Sequence, residues 1–245
     1  MQLDLLELPL VIGTGFVAAF VSSIAGGGVT VIMLPVLVLR FGIRTAMPIV
    51  TISLFAASAS RVVVNRREIA LPVAGWFALG SLPSTLAGTY LFTVTAPGLL
   101  TRLLGVFLLA TVALRRLHPA PPAGLRAAWF LPLGAVFGFL TGISAAVAAV
   151  VSPFFLRYGL RKGAYVGTVG LNIFMIQIAK LAVFESRNFL QPQVLAYGAA
   201  LVPFMVLGTV LGRRLLERVS EALFVVLIEA VMVLAGLNFI FRGAA

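Results

Sequence analysis

From Leu8 to Leu39 the chain carries no charged side chain, and Gly26-Gly27-Gly28 interrupts that run. Each glycine costs a helix interior about 1 kcal/mol relative to alanine, so three in succession cannot continue one cheaply. In hydrocarbon, the N–H and C=O groups freed at such a break have no water to turn to. Irregular backbone survives there only where it is buried in protein or lines a cavity. A helix restarting near Val29 aims its first amides, and the positive end of its dipole, into that cavity. Two readings of Ser22 to Pro35 stay open: an anion-binding gap between two half-helices, or a hinge that lets helices pack closely.

That the run lies in a membrane follows from composition. The 245 residues are 61% hydrophobic and 10% charged, with a mean hydropathy of +1.14, whereas a soluble domain carries about 25% charged residues. The expected partners are therefore a lipid bilayer and a small solute. A net charge of +11 raises the question of nucleic acid, but the arginines sit in short loops between apolar runs, where the positive-inside rule accounts for them. Cysteine is absent and the single histidine, His118, lies in a polar linker. No nucleophile–base pair or metal-ligand cluster emerges, so no enzyme, metal or cofactor is expected. Asp4 and Glu7 precede the first run without a basic residue, unlike a signal peptide, so that run is expected to be kept.

Apolar segments fall near 8–24, 29–40, 45–63, 70–92, 98–116, 127–143, 146–157, 163–184, 194–212 and 222–241. Segments 29–40 and 146–157 are too short to cross about 30 Å of hydrocarbon untilted. Each follows a long segment after a small-residue break and ends in a similar corner, Arg40-Phe41-Gly42-Ile43-Arg44 or Arg157-Tyr158-Gly159-Leu160-Arg161-Lys162. Pro35 and Pro153 precede those corners; Ala46 and Thr51 follow the first as Gly163 and Thr168 follow the second. The expected division is a first repeat over 1–117, a cytoplasmic linker over 118–126 and a second repeat over 127–245.

Charge placement tests how the short segments run. If they are loops between eight simple crossings, Arg44 and Arg187 fall on opposite sides and the basic residues divide nine to nine. If each short segment turns back, Arg61, Arg66, Arg67, Arg115, Arg116, Arg126, Arg157, Arg161, Lys162, Arg213, Arg214 and Arg218 share one side. Arg40, Arg44, Arg102, Lys180, Arg187 and Arg242 share the other, a division of twelve to six. The second arrangement has the asymmetry that the positive-inside rule demands. It predicts an all-α polytopic membrane protein of two inverted repeats, each with about five helical elements and each beginning with a broken helical hairpin. Both termini then lie outside the cytoplasm.

Ala25-Gly26-Gly27-Gly28-Val29-Thr30-Val31-Ile32-Met33-Leu34-Pro35, the Gly42 to Thr51 corner and the weaker echo Gly138-Phe139-Leu140-Thr141-Gly142-Ile143-Ser144 with Pro153 resemble the sulfite exporter TauE/SafE family, also called the toluene sulfonate uptake permease family. The resemblance covers nearly the whole chain. It implies a bacterial inner-membrane carrier for sulfite, a sulfonate such as sulfoacetate, or a related sulfur or carboxylate anion. The chain departs from the family where a second glycine-rich turn is often found, because Ser144-Ala145-Ala146 stands there.

The expected substrate site comprises Gly26, Gly27 and Gly28 through their amides and Thr30 through its hydroxyl. Thr141 and Ser144 are their counterparts at the second break. Converging N–H and O–H donors suit an oxyanion, although such hydroxyls also bond back to their own helix. Thr51, Asn172 and Gln177 are polar positions inside apolar helices. Asn172 and Gln177 lie about 140° apart around their helix, and Asn172, nearer its middle, is the candidate for substrate contact or interhelical bonding. Lys180 is a candidate for coupling or charge pairing, or it snorkels to the outer interface. Glu229, deep in its helix, is either a proton-coupling carboxyl or a buried hydrogen-bonding acid. A coupling proton or sodium ion is compatible with this set. A channel for small anions remains the alternative to a carrier, and nothing in the sequence speaks to oligomeric state.

Overall fold

The computed structural model describes residues 9, 12–18, 29–117, 125–144, 148–215 and 221–242, and among them there is no strand. We number the helices in chain order: α1 (12–18), α2 (Val29–Phe41), α3 (Ile43–Asn65), α4 (Leu71–Val94), α5 (Pro97–Leu117), α6 (Phe130–Ile143), α7 (Ala148–Tyr158), α8 (Lys162–Ser186), α9 (Pro192–Leu215) and α10 (Glu221–Arg242). A short 3-10 turn, Ala127–Trp129, leads into α6. From α2 onward, helix bounds lie within a few residues of those expected from the apolar segments. Pro97 and Pro192 open their helices, where a missing N–H costs nothing and a fixed φ favours the helix. The two expected corners are sharp because Gly42 and Gly159 take φ of 74° and 108°, a region that side chains with a Cβ avoid. Of the expected linker, His118 to Gly124 lies outside the described residues.

Which residues meet reveals how neighbouring helices run. Between α4 and α6, Phe77 faces Gly134, Gly80 faces Leu131, Ser81 faces Gly138, and Thr85 and Thr89 face Gly142. The partners advance together, so these helices are parallel. A Cβ at Gly80, Gly88, Gly134 or Gly138 would overlap the backbone of the opposite helix, so the approach is backbone to backbone, as small residues permit in membranes. Along α4 and α8, Ala70 N–H donates to Thr168 Oγ1 at 2.9 Å, and Phe92 packs on Phe184; these too are parallel. Along α3 and α8 the order reverses, with Glu68 over Gly163, Asn65 over Gly167, Arg61 over Gly170 and Met47 at Lys180. The same reversal relates α5 to α10, where Gly105 meets Ile240 and Leu109 meets Gly236.

The short helix α7 folds back along α6. Phe130 packs on Phe155 and Tyr158, whereas Phe137 packs on Phe154. Helices α6 and α8 therefore run the same way with α7 reversed between them. The ends agree with this. Arg44 donates to the Thr95 carbonyl at 3.2 Å and lies over the Phe189 ring, while Arg187 lies over Tyr90. That places the α2–α3 corner, the α4–α5 loop and the α8–α9 loop at one end. Glu68 and Gly163 meet at the other. Eight simple crossings would have put Arg44 and Arg187 at opposite ends, and that arrangement is ruled out.

Apolar side chains form two clusters. One gathers Met33, Leu37, Met47, Leu104, Leu201 and Phe239 from α2, α3, α5, α9 and α10, together with Phe92 of α4 and Phe184 of α8. The other gathers Val73, Phe77, Phe130, Phe137, Phe155 and Ile176 from α4, α6, α7 and α8, with Phe130 at the start of α6. Helices α3 and α8 are each long and apolar enough to cross a membrane.

The α4–α6 contact makes a direct prediction. Gly138→Leu should force the two backbones apart and lower stability by about 1–3 kcal/mol or more, read as a drop in melting temperature of detergent-purified protein. Gly98→Ala, where a new Cβ meets no atom within 4 Å, should change it little. An undiminished melting temperature for Gly138→Leu would overturn the close approach.

Candidate substrate site

Helix α6 ends inside the bundle at Ile143, and Ser144 caps it with extended backbone (φ −138°, ψ 154°) and an N–H bonded to the Leu140 carbonyl at 2.8 Å. The carbonyls of the last turn have no amide of their own helix to accept from. One of them, Thr141 O, accepts from Lys180 Nζ at 2.9 Å. Lys180 is 0% exposed, and its ammonium also touches Met47 Sδ at 3.8 Å. A cation at the carbonyl end of a helix is favoured by the helix dipole. No carboxylate among the described residues is a partner of this ammonium.

Snorkelling of Lys180 to the interface is thereby corrected. Six residues, about 9 Å of helix, separate Lys180 from the end of α8, and the α6 carbonyl is nearer. Helices α3 and α6 close over the side chain before it reaches water.

Other expected residues take several places. Thr51 is fully buried, but its hydroxyl donates to Met47 O at 2.9 Å, back along its own helix. Thr168, its counterpart beyond the second corner, instead accepts from Ala70 N–H, so matching positions do different work. The hydroxyl of Ser144 is buried without a partner. Asn172 is 2% exposed with neither side-chain atom bonded, and Gln177, equally buried, has an unbonded Oε1. Asn172 follows Thr168 by one turn on the side of α8 that meets α4. Gln177 continues the stripe of Gly163, Gly167, Gly170 and Phe174 that meets α3, where Phe174 stacks on Phe55. Both are buried despite their angular separation because α8 is packed on both sides.

Met47, Thr141, Lys180 and, one turn along, Thr51 and Gln177 form one neighbourhood beside the end of α6. Glu229, 7% exposed, belongs to α10, which packs mainly on α5 and α2, and it is not the partner of Lys180. Gly26, Gly27 and Gly28 lie outside the described residues. Thr30 falls in the first turn of α2, with its side chain outside the description.

Two residues escaped the sequence reading. Ser81 Oγ and Thr89 Oγ1, both fully buried on α4, have no partner, whereas Thr85 between them donates to Gly138 O at 3.1 Å. Their signal was the spacing of four that runs from Ser81 through Thr85 to Thr89, opposite Gly134, Gly138 and Gly142 on α6. Buried polar atoms are nearly always bonded in folded proteins. Six unbonded ones are found here, two of them on Ser81 and Thr89 where α4 meets α6 and the others on Ser144, Asn172 and Gln177.

No curated protein and no solved structure matches the chain. The family described as sulfite exporter TauE/SafE matches residues 11–239. With helices apolar enough to span a bilayer and a match over nearly its whole length, the chain belongs to the sulfite exporter TauE/SafE family of integral membrane transporters.

Proposed function

We propose that the protein is a carrier for a small sulfur oxyanion or organosulfur anion, such as sulfite, a sulfonate or sulfoacetate, working by alternating access. The observation that carries this reading is Lys180, an ammonium held at the end of α6 with a carbonyl and a thioether for company. A buried cation is costly unless an anion joins it, and the anion a transporter can supply is its cargo. Ser144 and Gln177 stand nearest in sequence to complete the site, with Asn172 further along α8. Gly26 to Gly28 and Thr30 would form the corresponding gap of the first hairpin and add backbone amides to the anion.

Alternating access is supported by the neighbour relations of the helices. When α3, α4 and α5 are exchanged with α8, α9 and α10, the α3–α9 contact becomes α8–α4, and the α3–α8 and α5–α10 contacts map onto themselves. Both self-paired contacts are antiparallel, as an axis in the membrane plane requires for inverted repeats. Spacing within the chain agrees: Pro72, Pro83 and Gly88-Thr89 of α4 recur as Pro192, Pro203 and Gly208-Thr209 around α9. On the twelve-to-six charge division, the end bearing Arg66, Arg67, Arg161 and Lys162 faces the cytoplasm of a bacterial inner membrane.

Orientation can be tested directly because the chain has no cysteine. In intact cells a membrane-impermeant maleimide should label Ala96→Cys and leave Arg66→Cys unlabelled until the membrane is opened. The reverse pattern would overturn the assignment of ends.

Binding is tested by melting purified protein with sulfite, thiosulfate, sulfonates, sulfoacetate and short carboxylates. A ligand specific for the folded state at a hundred times its dissociation constant adds about 2.7 kcal/mol of apparent stability. A sulfur anion should stabilise the wild type, and Lys180→Met should weaken its binding by about 2 kcal/mol or more. Stabilisation by short carboxylates alone would reassign the cargo. Undiminished affinity in a folded Lys180→Met protein would remove the lysine from the site.

A further inference from the structure

We infer that the site takes its substrate as a monoanion bearing its own hydroxyl, hydrogensulfite rather than the sulfite dianion, with Lys180 balancing the single charge and Gln177 Oε1 accepting the hydroxyl proton. This rests on the sulfur-anion reading above and adds the charge and protonation state of the cargo.

Charge is the first ground. Among the buried residues described, the ionisable side chains are Lys180, Glu229 and the phenol of Tyr197 on α9, so one basic group is available and the other two are acids. A dianion beside one ammonium leaves a full negative charge uncompensated in a low-dielectric interior. A monoanion leaves none. On the helices packed against α8, the other titratable or charged groups are Arg44 and Arg61 on α3, Tyr90 on α4, and Arg157 and Tyr158 on α7. None of these bonds Lys180, whose polar contacts are Thr141 O and Met47 Sδ.

Hydrogen bonding is the second ground, and it is independent of the first. Lys180 has three protons, with one on Thr141 O and one toward Met47 Sδ; the third is left for a ligand. Ser144 Oγ adds a buried hydroxyl without a partner. Gln177 Oε1, one turn from Lys180, can only accept, and nothing donates to it. A fully deprotonated oxyanion also only accepts, so it would set lone pairs against that oxygen. Hydrogensulfite supplies oxygens for Lys180 and Ser144 and one O–H for Gln177. Asn172 Oδ1, also unbonded and eight residues or about 12 Å along α8, offers the same acceptor further along the same helix. Carried this way, the proton crosses on the substrate itself, and no relay through Glu229 is needed.

The test uses anions of fixed charge with the full-length protein, measuring dissociation constants by calorimetry. Hydroxymethanesulfonate is a monoanion with a hydroxyl, methanesulfonate is a monoanion without one, and sulfate and thiosulfate are dianions. In the wild type, hydroxymethanesulfonate should bind best, methanesulfonate several-fold more weakly, and the dianions at least tenfold more weakly than either. In Gln177→Leu the advantage of the hydroxyl should vanish while methanesulfonate affinity holds. Dianions that bind as tightly as the monoanions would overturn the charge inference and leave the sulfur-anion reading standing. A hydroxyl preference that is absent in the wild type, or that survives in Gln177→Leu, would overturn the acceptor. Binding of no sulfur anion by the wild type would sink the underlying reading instead. The wild-type series decides the charge question without relying on any variant's fold.

Discussion

A helix that stops inside hydrocarbon has to give its last carbonyls a donor, and α6 gives one of them to Lys180. Much of the protein's logic hangs on that bond. It permits a break at membrane depth, where water cannot satisfy the backbone. It also draws a basic side chain into the bundle, where charge is expensive. The hairpin and the cation therefore support each other: without the lysine the end of α6 is short of a donor, and without that end the lysine has no reason to be buried. In the proposed carrier, an anion would complete this set.

Lys180 also stands between the two apolar clusters. Met47, which its ammonium touches, belongs to the cluster that also holds Met33, Leu104 and Phe184. Thr141, which accepts its proton, follows Leu140 of the cluster around α4, α6, α7 and α8. Beside the second cluster, the glycine-lined meeting of α4 and α6 holds backbone against backbone. If the cargo draws on the Lys180 ammonium as proposed, it would act where side chains of the two clusters meet.

Much of this architecture could be read from residues alone. The bounds of α2 and α7, the glycine corners and the fold-back of α7 follow from run lengths and small-residue breaks, and the placing of arginines argued for the same course. Arg44 and Arg187 at one end agree with that course and not with eight simple crossings. The site was less legible. Whether a lysine six residues from a helix end snorkels or turns inward depends on which neighbour closes over it, and no local pattern encodes that. Thr51 looked like a ligand by type, but a threonine in a helix can satisfy itself on the preceding turn, and it does so here. The hydroxyls of Ser81 and Thr89 were hidden for the opposite reason. Small residues at a spacing of four look like ordinary helix packing until their partner proves to be a row of glycines that leaves them unbonded.

The scaffold proposed here is nearly symmetric, yet its charge is not. Taking the corner correspondence of Gly42 with Gly159 and Thr51 with Thr168, the position matching Lys180 in the first half is Val63, which is 66% exposed. The first break has instead three glycines and no cation near it in sequence. Backbone amides present partial charges fixed in space, whereas a lysine presents a whole charge on a flexible stem. Two inverted halves built in this way would give the anion fixed dipoles from one hairpin and a mobile counter-charge from the other. A mobile counter-charge can follow the ligand as the halves rock, so that the anion need not be stripped of its partner midway. Symmetry would then provide the two access states, and the asymmetry of a single lysine would keep one anion neutralised in both.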